Sequence, residues 1–153
     1  MPNSAASPLP APRRIVAGHN DAGFATVKHD SQIHPQPVGD GINLALLWTS
    51  TEHPADALVH PGVPPTGSGF SAYDLPPQSV GVFHRSSTLD YVIVGKGSVV
   101  LGLDGGTRVT LNEEDVLVQR ATMHSWNNVT DQWARAYGIM LPARAPCVSG
   151  EEL

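Results

Sequence analysis

Short apolar or alternating runs recur through the second half of the chain, at positions 70–75, 80–84, 91–94, 98–103, 108–111, 115–120 and 133–141. Runs of this length, bounded by Gly, Pro, Asn and Asp, have the period of strands. Asp104-Gly105-Gly106 separates two of them and predicts a hairpin turn, because a tight connection between twisted strands needs positive φ. Nearer the N-terminus, Arg14-Ile15-Val16 and Ala25-Thr26-Val27 flank the turn-rich 18–23 and predict a second hairpin. The apolar run 41–48 has the length of a buried strand or a helical segment, and we read it as a strand. Between 57 and 69 the density of Pro61, Gly62, Pro64, Pro65, Gly67 and Gly69 excludes regular structure and predicts a loop with the reach of a lid. No amphipathic helix of convincing length occurs anywhere. Many short strands with close turns predict an all-β sandwich or barrel.

Length and composition narrow the picture. With 153 residues the chain has the size of one domain. We divide it into a flexible, Pro/Ala/Ser-rich arm (1–12), N-terminal strands with the Pro/Gly-rich loop (13–68), a barrel core (69–142) and a C-terminal tail (143–153). A net charge of -5 supplies no basic footprint for nucleic acid. The single Cys147 has no internal disulfide partner, and the N-terminal residues lack the apolar core of a signal peptide, which together favour a soluble, cytoplasmic protein. No apolar run has the roughly 20 residues needed to span a bilayer. Asn128-Val129-Thr130 matches a glycosylation acceptor, which we read as chance in a chain without an export signal.

Candidate chemistry follows from strand parity. On an extended strand His84, Ser86, Thr88 and Asp90 share one face, as would Val116, Val118, Arg120, Thr122, His124 and Trp126 on a second strand. This brings two imidazoles and a carboxylate into one cavity. His84, Asp90 and His124 are therefore candidate ligands for a divalent metal, Fe, Zn or Mn, with open positions left for substrate. The same residues also suit a metal-free acid–base site with His124, Asp90 and Arg120 as catalytic groups, because Asp90 is short and has His84 and Arg85 as nearby partners. Arg120 has the planar fork that anchors a carboxylate or phenolate, although an Arg at a barrel edge is more often structural. Ser86, Tyr91, Met123, Trp126 and Tyr137 are candidate pocket residues, against the plainer reading that aromatic and Met side chains fill a core. His19, His29, His34, His53 and His60 have no ligand spacing and are read as surface.

Two stretches carry a resemblance. Asp90-Tyr91-Val92-Ile93-Val94-Gly95-Lys96-Gly97 and the segment from Leu111 to Asn128 resemble the two motifs of the cupin superfamily, at the expected separation. His84, Ser86, Asp90 and Gly97 occupy the places where the usual first motif has two His, a Glu and a Gly. His124 and Asn128 match the His and Asn of the second motif, while its Pro and Gly are absent. If Glu114 stands where that motif's leading Gly belongs, the segment is one residue short. These departures, with Gln119-Arg120, Arg13-Arg14-Ile15, Leu47-Trp48-Thr49-Ser50 and Asp74-Leu75-Pro76-Pro77, are similar to a branch of small single-domain cupins. That branch includes fungal cupin-domain oxidoreductases encoded with polyketide clusters, such as those making salicylaldehyde-type aromatics.

The resemblance implies a jelly-roll barrel, a small-molecule substrate and a homodimer formed by pairing or swapping edge strands. Three readings of function follow. The first is a metal-dependent oxidoreductase of secondary metabolism acting on a small aromatic or polyketide-derived substrate. The second is a lyase or isomerase, meaning a decarboxylase, dehydratase or tautomerase, using His124 and Asp90 with or without metal. The third is a non-catalytic small-molecule binder.

Overall fold

The computed structural model describes residues 6–19, 25–50, 67–144, 147–148 and 151–152. His53, His60, most of the loop expected at 57–69, the turn at 20–23 and the first residues of the arm lie outside the described residues. Among the described residues there is no α-helix, and no helix long and apolar enough to cross a membrane.

The strands run β1 (Arg13–His19), β2 (Ala25–Gln32), β3 (Gln36–Gly39), β4 (Ile42–Ser50) and β5 (Ser68–Leu75). Two short ones follow, β6 (Ser79–Val80) and β7 (His84–Arg85). Then come β8 (Thr88–Lys96), β9 (Ser98–Leu103), β10 (Arg108–Asn112), β11 (Val116–Arg120), β12 (Met123–Asn128) and β13 (Ala134–Pro142). Last are β14 (Cys147–Val148) and β15 (Glu151–Glu152). One sheet has the order β11-β8-β13-β5-β4-β3, and a second has β10-β9-β12-β6 with β7 also pairing with β12. β1 and β2 form their own hairpin, as do β14 and β15. Among the described residues every strand pairing is antiparallel, the arrangement expected when hairpin turns replace helical crossovers.

The two large sheets pack face to face, and their inner faces have different fates at the two ends. At one end Leu75, Val94 and Ala134 meet Val99 and Leu111 in a closed core. At the other end the sheets stand apart around a cavity. β8 shows why its sequence makes this possible: Asp90, Val92 and Val94 are buried while Tyr91 and Ile93 are exposed, an alternation that follows from the two-residue period of a strand. Below the core a buried pair joins the sheet to the N-terminal segment. Asp74 accepts two hydrogen bonds from Arg135, at 2.5 and 2.7 Å, and Arg135 also donates to the Pro10 carbonyl.

Two local features depart from the sequence expectations. The run 80–84 is not one strand but β6 and β7 with a step between them. Gly81 crosses the Trp126 carbonyl there, and a Cβ would lie 2.4 Å from that oxygen, so only glycine fits the approach. The run 116–126 is two strands in different sheets. Ala121, at φ 50°, turns the chain out of the six-stranded sheet and into the other. The face assumed to be shared by Val116, Val118, Arg120, His124 and Trp126 is therefore broken at that residue: Val116, Val118 and Arg120 are exposed, while His124 is buried.

Candidate active site

The cavity encloses about 200 Å³ between the sheets. One wall belongs to the smaller sheet and carries His84 from β7 with His124 and Trp126 from β12. The opposite wall belongs to the larger sheet, with Asp90 and Val92 from β8, Tyr73 and Leu75 from β5, and Ala136, Gly138 and Met140 from β13. Ser86, between β7 and β8, and Val38 and Ile42 complete the lining.

His84 and His124 are direct cross-strand partners, and their ring centroids lie 4.5 Å apart at a tilt of 51°. Each ring has its Nδ1 against a backbone carbonyl two residues earlier, Val82 at 3.0 Å and Thr122 at 2.9 Å. A carbonyl only accepts, so each Nδ1 carries the proton and each Nε2 keeps its lone pair. The edge of the Trp126 ring closes against His124, at 5.8 Å between centroids. His84 is exposed at the rim, whereas His124 is buried.

Asp90 is buried, with the buried Ser86 and Thr88 hydroxyls beside its carboxylate and no well-formed hydrogen bond at Oδ1. Burial pushes the Asp90 carboxyl above the ordinary carboxylate range, against the pull of the Thr88 and Ser86 hydroxyls and the two imidazoles. Burial pushes His124 the other way, below the usual imidazole value, assisted by His84 and opposed by its bond to Thr122 and by Asp90. The two shifts narrow the difference in proton affinity between carboxyl and imidazole.

The structure thus brings His84, Ser86, Asp90, His124 and Trp126 to one cavity. Other expected site residues lie elsewhere. Tyr91 is exposed on the outer face of β8, because it alternates with Asp90. Met123 adjoins His124 on β12 and does not line the cavity, and Tyr137 lies on the outer face between Phe70 and Gly95. Arg120 is exposed at the end of β11, before the turn at Ala121, outside the lining. Tyr73, Ala136, Gly138 and Met140 were not foreseen. Parity within β13 carries the signal for Ala136, Gly138 and Met140, the alternate set to Tyr137.

For a resident metal the donor chemistry is half suited, since two imidazoles offer free Nε2 atoms. The carboxylate does not join them: among the described residues no group of three or more His, Cys, Asp or Glu side chains is placed to hold a metal ion. Asp90 lies on the opposite sheet, and its short side chain stays among Ser86 and Thr88. The expected three-ligand set of His84, Asp90 and His124 therefore does not fit an ion in this arrangement.

No family model matches the chain. It is similar to Oryzines biosynthesis cluster protein J of Aspergillus oryzae, with 30% identity over 162 residues, covering 95% of this chain and 90% of that protein. It is also similar to the cupin-domain-containing oxidoreductase virC of Hypocrea virens, with 32% identity over 139 residues, covering 80% of this chain and 72% of the relative. Among solved structures, an RmlC-like cupin from Shewanella frigidimarina superposes with a TM-score of 0.55 at 15% identity, covering 74% of this chain and 86% of that one. That likeness supports the all-β cupin fold.

Proposed function

The chain belongs to the cupin-domain proteins related to fungal oxidoreductases of secondary-metabolite clusters, and on that premise we propose that it is an enzyme moving protons on a small ring compound of such a pathway. The observation that carries this reading is the state of His124: buried, with Nδ1 committed to the Thr122 carbonyl and Nε2 left as a base inside the cavity. Its lowered proton affinity keeps the imidazole neutral at physiological pH, the form a general base requires. The exposed ring of His84, tilted against it, offers a path for the abstracted proton to reach solvent. Asp90 faces His124 from the other wall as a second titratable group of the cavity, its hold on a proton strengthened by burial. A cavity of about 200 Å³ walled by Trp126, Val92, Leu75 and Met140 takes one ring with few substituents, which makes a small aromatic or polyketide-derived compound the substrate.

The test is deuterium exchange. A panel of cyclic 1,3-diketones and hydroxyaryl methyl ketones is incubated with the protein in D₂O, without oxygen and with a chelator, and followed by NMR. The expected result is accelerated exchange beside the carbonyl that His124→Ala abolishes. No acceleration across the panel overturns the reading. A metal-dependent oxidoreductase is the second reading, supported by the names of the relatives and by the two free Nε2 atoms. It requires turnover that stops when metal or oxygen is withdrawn.

A further inference from the structure

Among the described residues that line the cavity Tyr73 is the one phenol, and close packing holds it there. It sits on β5, opposite Ala136 of β13, and its ring leans across Gly138 so closely that a Cβ on that glycine would lie 3.1 Å from Cε2. The hydroxyl ends against the Met140 sulfur at 3.7 Å. A thioether is a weak acceptor, so the phenolic proton is readily given to a better one. Burial raises the proton affinity of the phenol, opposed by the neighbouring Ser71 hydroxyl and assisted by Asp90, and so keeps it a donor. The imidazole of His124 stands on the other wall of the same cavity.

We infer that the Tyr73 hydroxyl donates a hydrogen bond to the oxygen of a ring-borne carbonyl or phenol, which makes enolisable single-ring carbonyl compounds the substrate class. This rests on the acid–base reading of the cavity. In the step it serves, His124 Nε2 takes the proton from the carbon beside the carbonyl. The C–H electron pair becomes the new C=C bond, and the carbonyl π pair moves onto oxygen, where Tyr73 meets the developing charge. Reprotonation at oxygen or at a second carbon completes an isomerisation, with electrons balanced and no oxidant consumed. A donor aimed at developing oxyanion charge in a site shielded from water is an effective catalytic device.

The experiment measures equilibrium binding of ring-substituted phenols of graded acidity at fixed pH, so it is independent of turnover and of the deuterium-exchange result. Wild type is expected to bind them with affinity that rises as the phenol becomes more acidic. Tyr73→Phe should weaken binding of the most acidic phenol about tenfold or more and flatten that trend. Gly138→Ala keeps the hydroxyl but displaces the ring, and should weaken binding in the same direction even if Tyr73→Phe does not fold. Affinity left unchanged in the variants, or no phenol binding by wild type, overturns the inference.

Discussion

Asp90 illustrates what the cavity demands of a single side chain. Its carboxyl is buried, Oδ1 has no well-formed hydrogen bond, and burial holds the proton more tightly than in an unfolded chain. The sign of the consequence is fixed: neutral Asp90 favours the fold below its unfolded pKa of about 3.9, and that contribution is lost as pH rises through the elevated folded value. Asp90→Asn cannot ionise. It is expected to melt higher than wild type at pH 8, by on the order of 1 kcal/mol, while the difference vanishes below about pH 3.9. Proton exchange on the substrate should fall in the same variant. Thermal melts at the two pH values check this, and a variant less stable at pH 8 would contradict it. His84 and Asp90 do reach one cavity, but from β7 and β8 in different sheets and not from one strand, so strand parity named the right residues for a reason the fold does not use. Tyr91, Met123 and Tyr137 were misplaced for a different reason: each directly neighbours a residue of the lining, and the expectation favoured chemistry over parity. Tyr73 carried no local sign, since only closure of one sheet over the other brings it opposite His124.

At the scale of elements, the turns decide which sheet a strand joins. Most of the longer strands were legible, because period and turn residues are written over short windows, whereas β3, β14 and β15 had no expected counterpart. The switch at Ala121 was not, because alanine is an unusual occupant of positive φ and nothing in Gln119-Arg120-Ala121-Thr122 announces a break. Glu114 is the same kind of residue in the turn between β10 and β11. It adopts φ 72° and donates its backbone N–H to the Val94 carbonyl at 2.8 Å, in the place where the motif resemblance called for glycine. Its side chain is exposed. A left-handed residue with a Cβ costs roughly 1–2 kcal/mol that glycine does not. Glu114→Gly is therefore expected to raise the melting midpoint by about 2–4 °C, with the active site untouched. A midpoint that falls would mean the carboxylate makes a contribution larger than the backbone strain.

The whole molecule presents a surface that its own charge pattern does not cover. Across the outer face of the larger sheet, Val118, Tyr91, Ile139, Phe70 and Trp48 stand in direct register from β11 to β4. Val116, Ile93 and Tyr137 form a second row beside them. No position in either row is charged. Ile33 packs over Ala45, Leu47 and Ala72 at the β4–β5 end, but Val116, Val118, Tyr91, Ile93, Phe70 and Trp48 remain between 36% and 69% exposed. Together these six present on the order of 500 Å² of apolar surface, given roughly 150–250 Å² for a large side chain. That matches what one side of a two-fold homodimer needs, about 800 Å² of which about 65% is apolar. A second copy is also the one partner present wherever the chain is made. The homodimer implied by family resemblance is thus expected to form through this sheet face, with the β11 edge drawn in at its border, and not through strand exchange alone. Light scattering after size exclusion should give twice the 16.2 kDa chain mass. Val116→Lys with Val118→Lys should return the monomer and leave the cavity residues in place, since both valines point away from it. A wild-type monomer throughout the micromolar range, or a dimer that ignores both substitutions, would rule this face out as the contact.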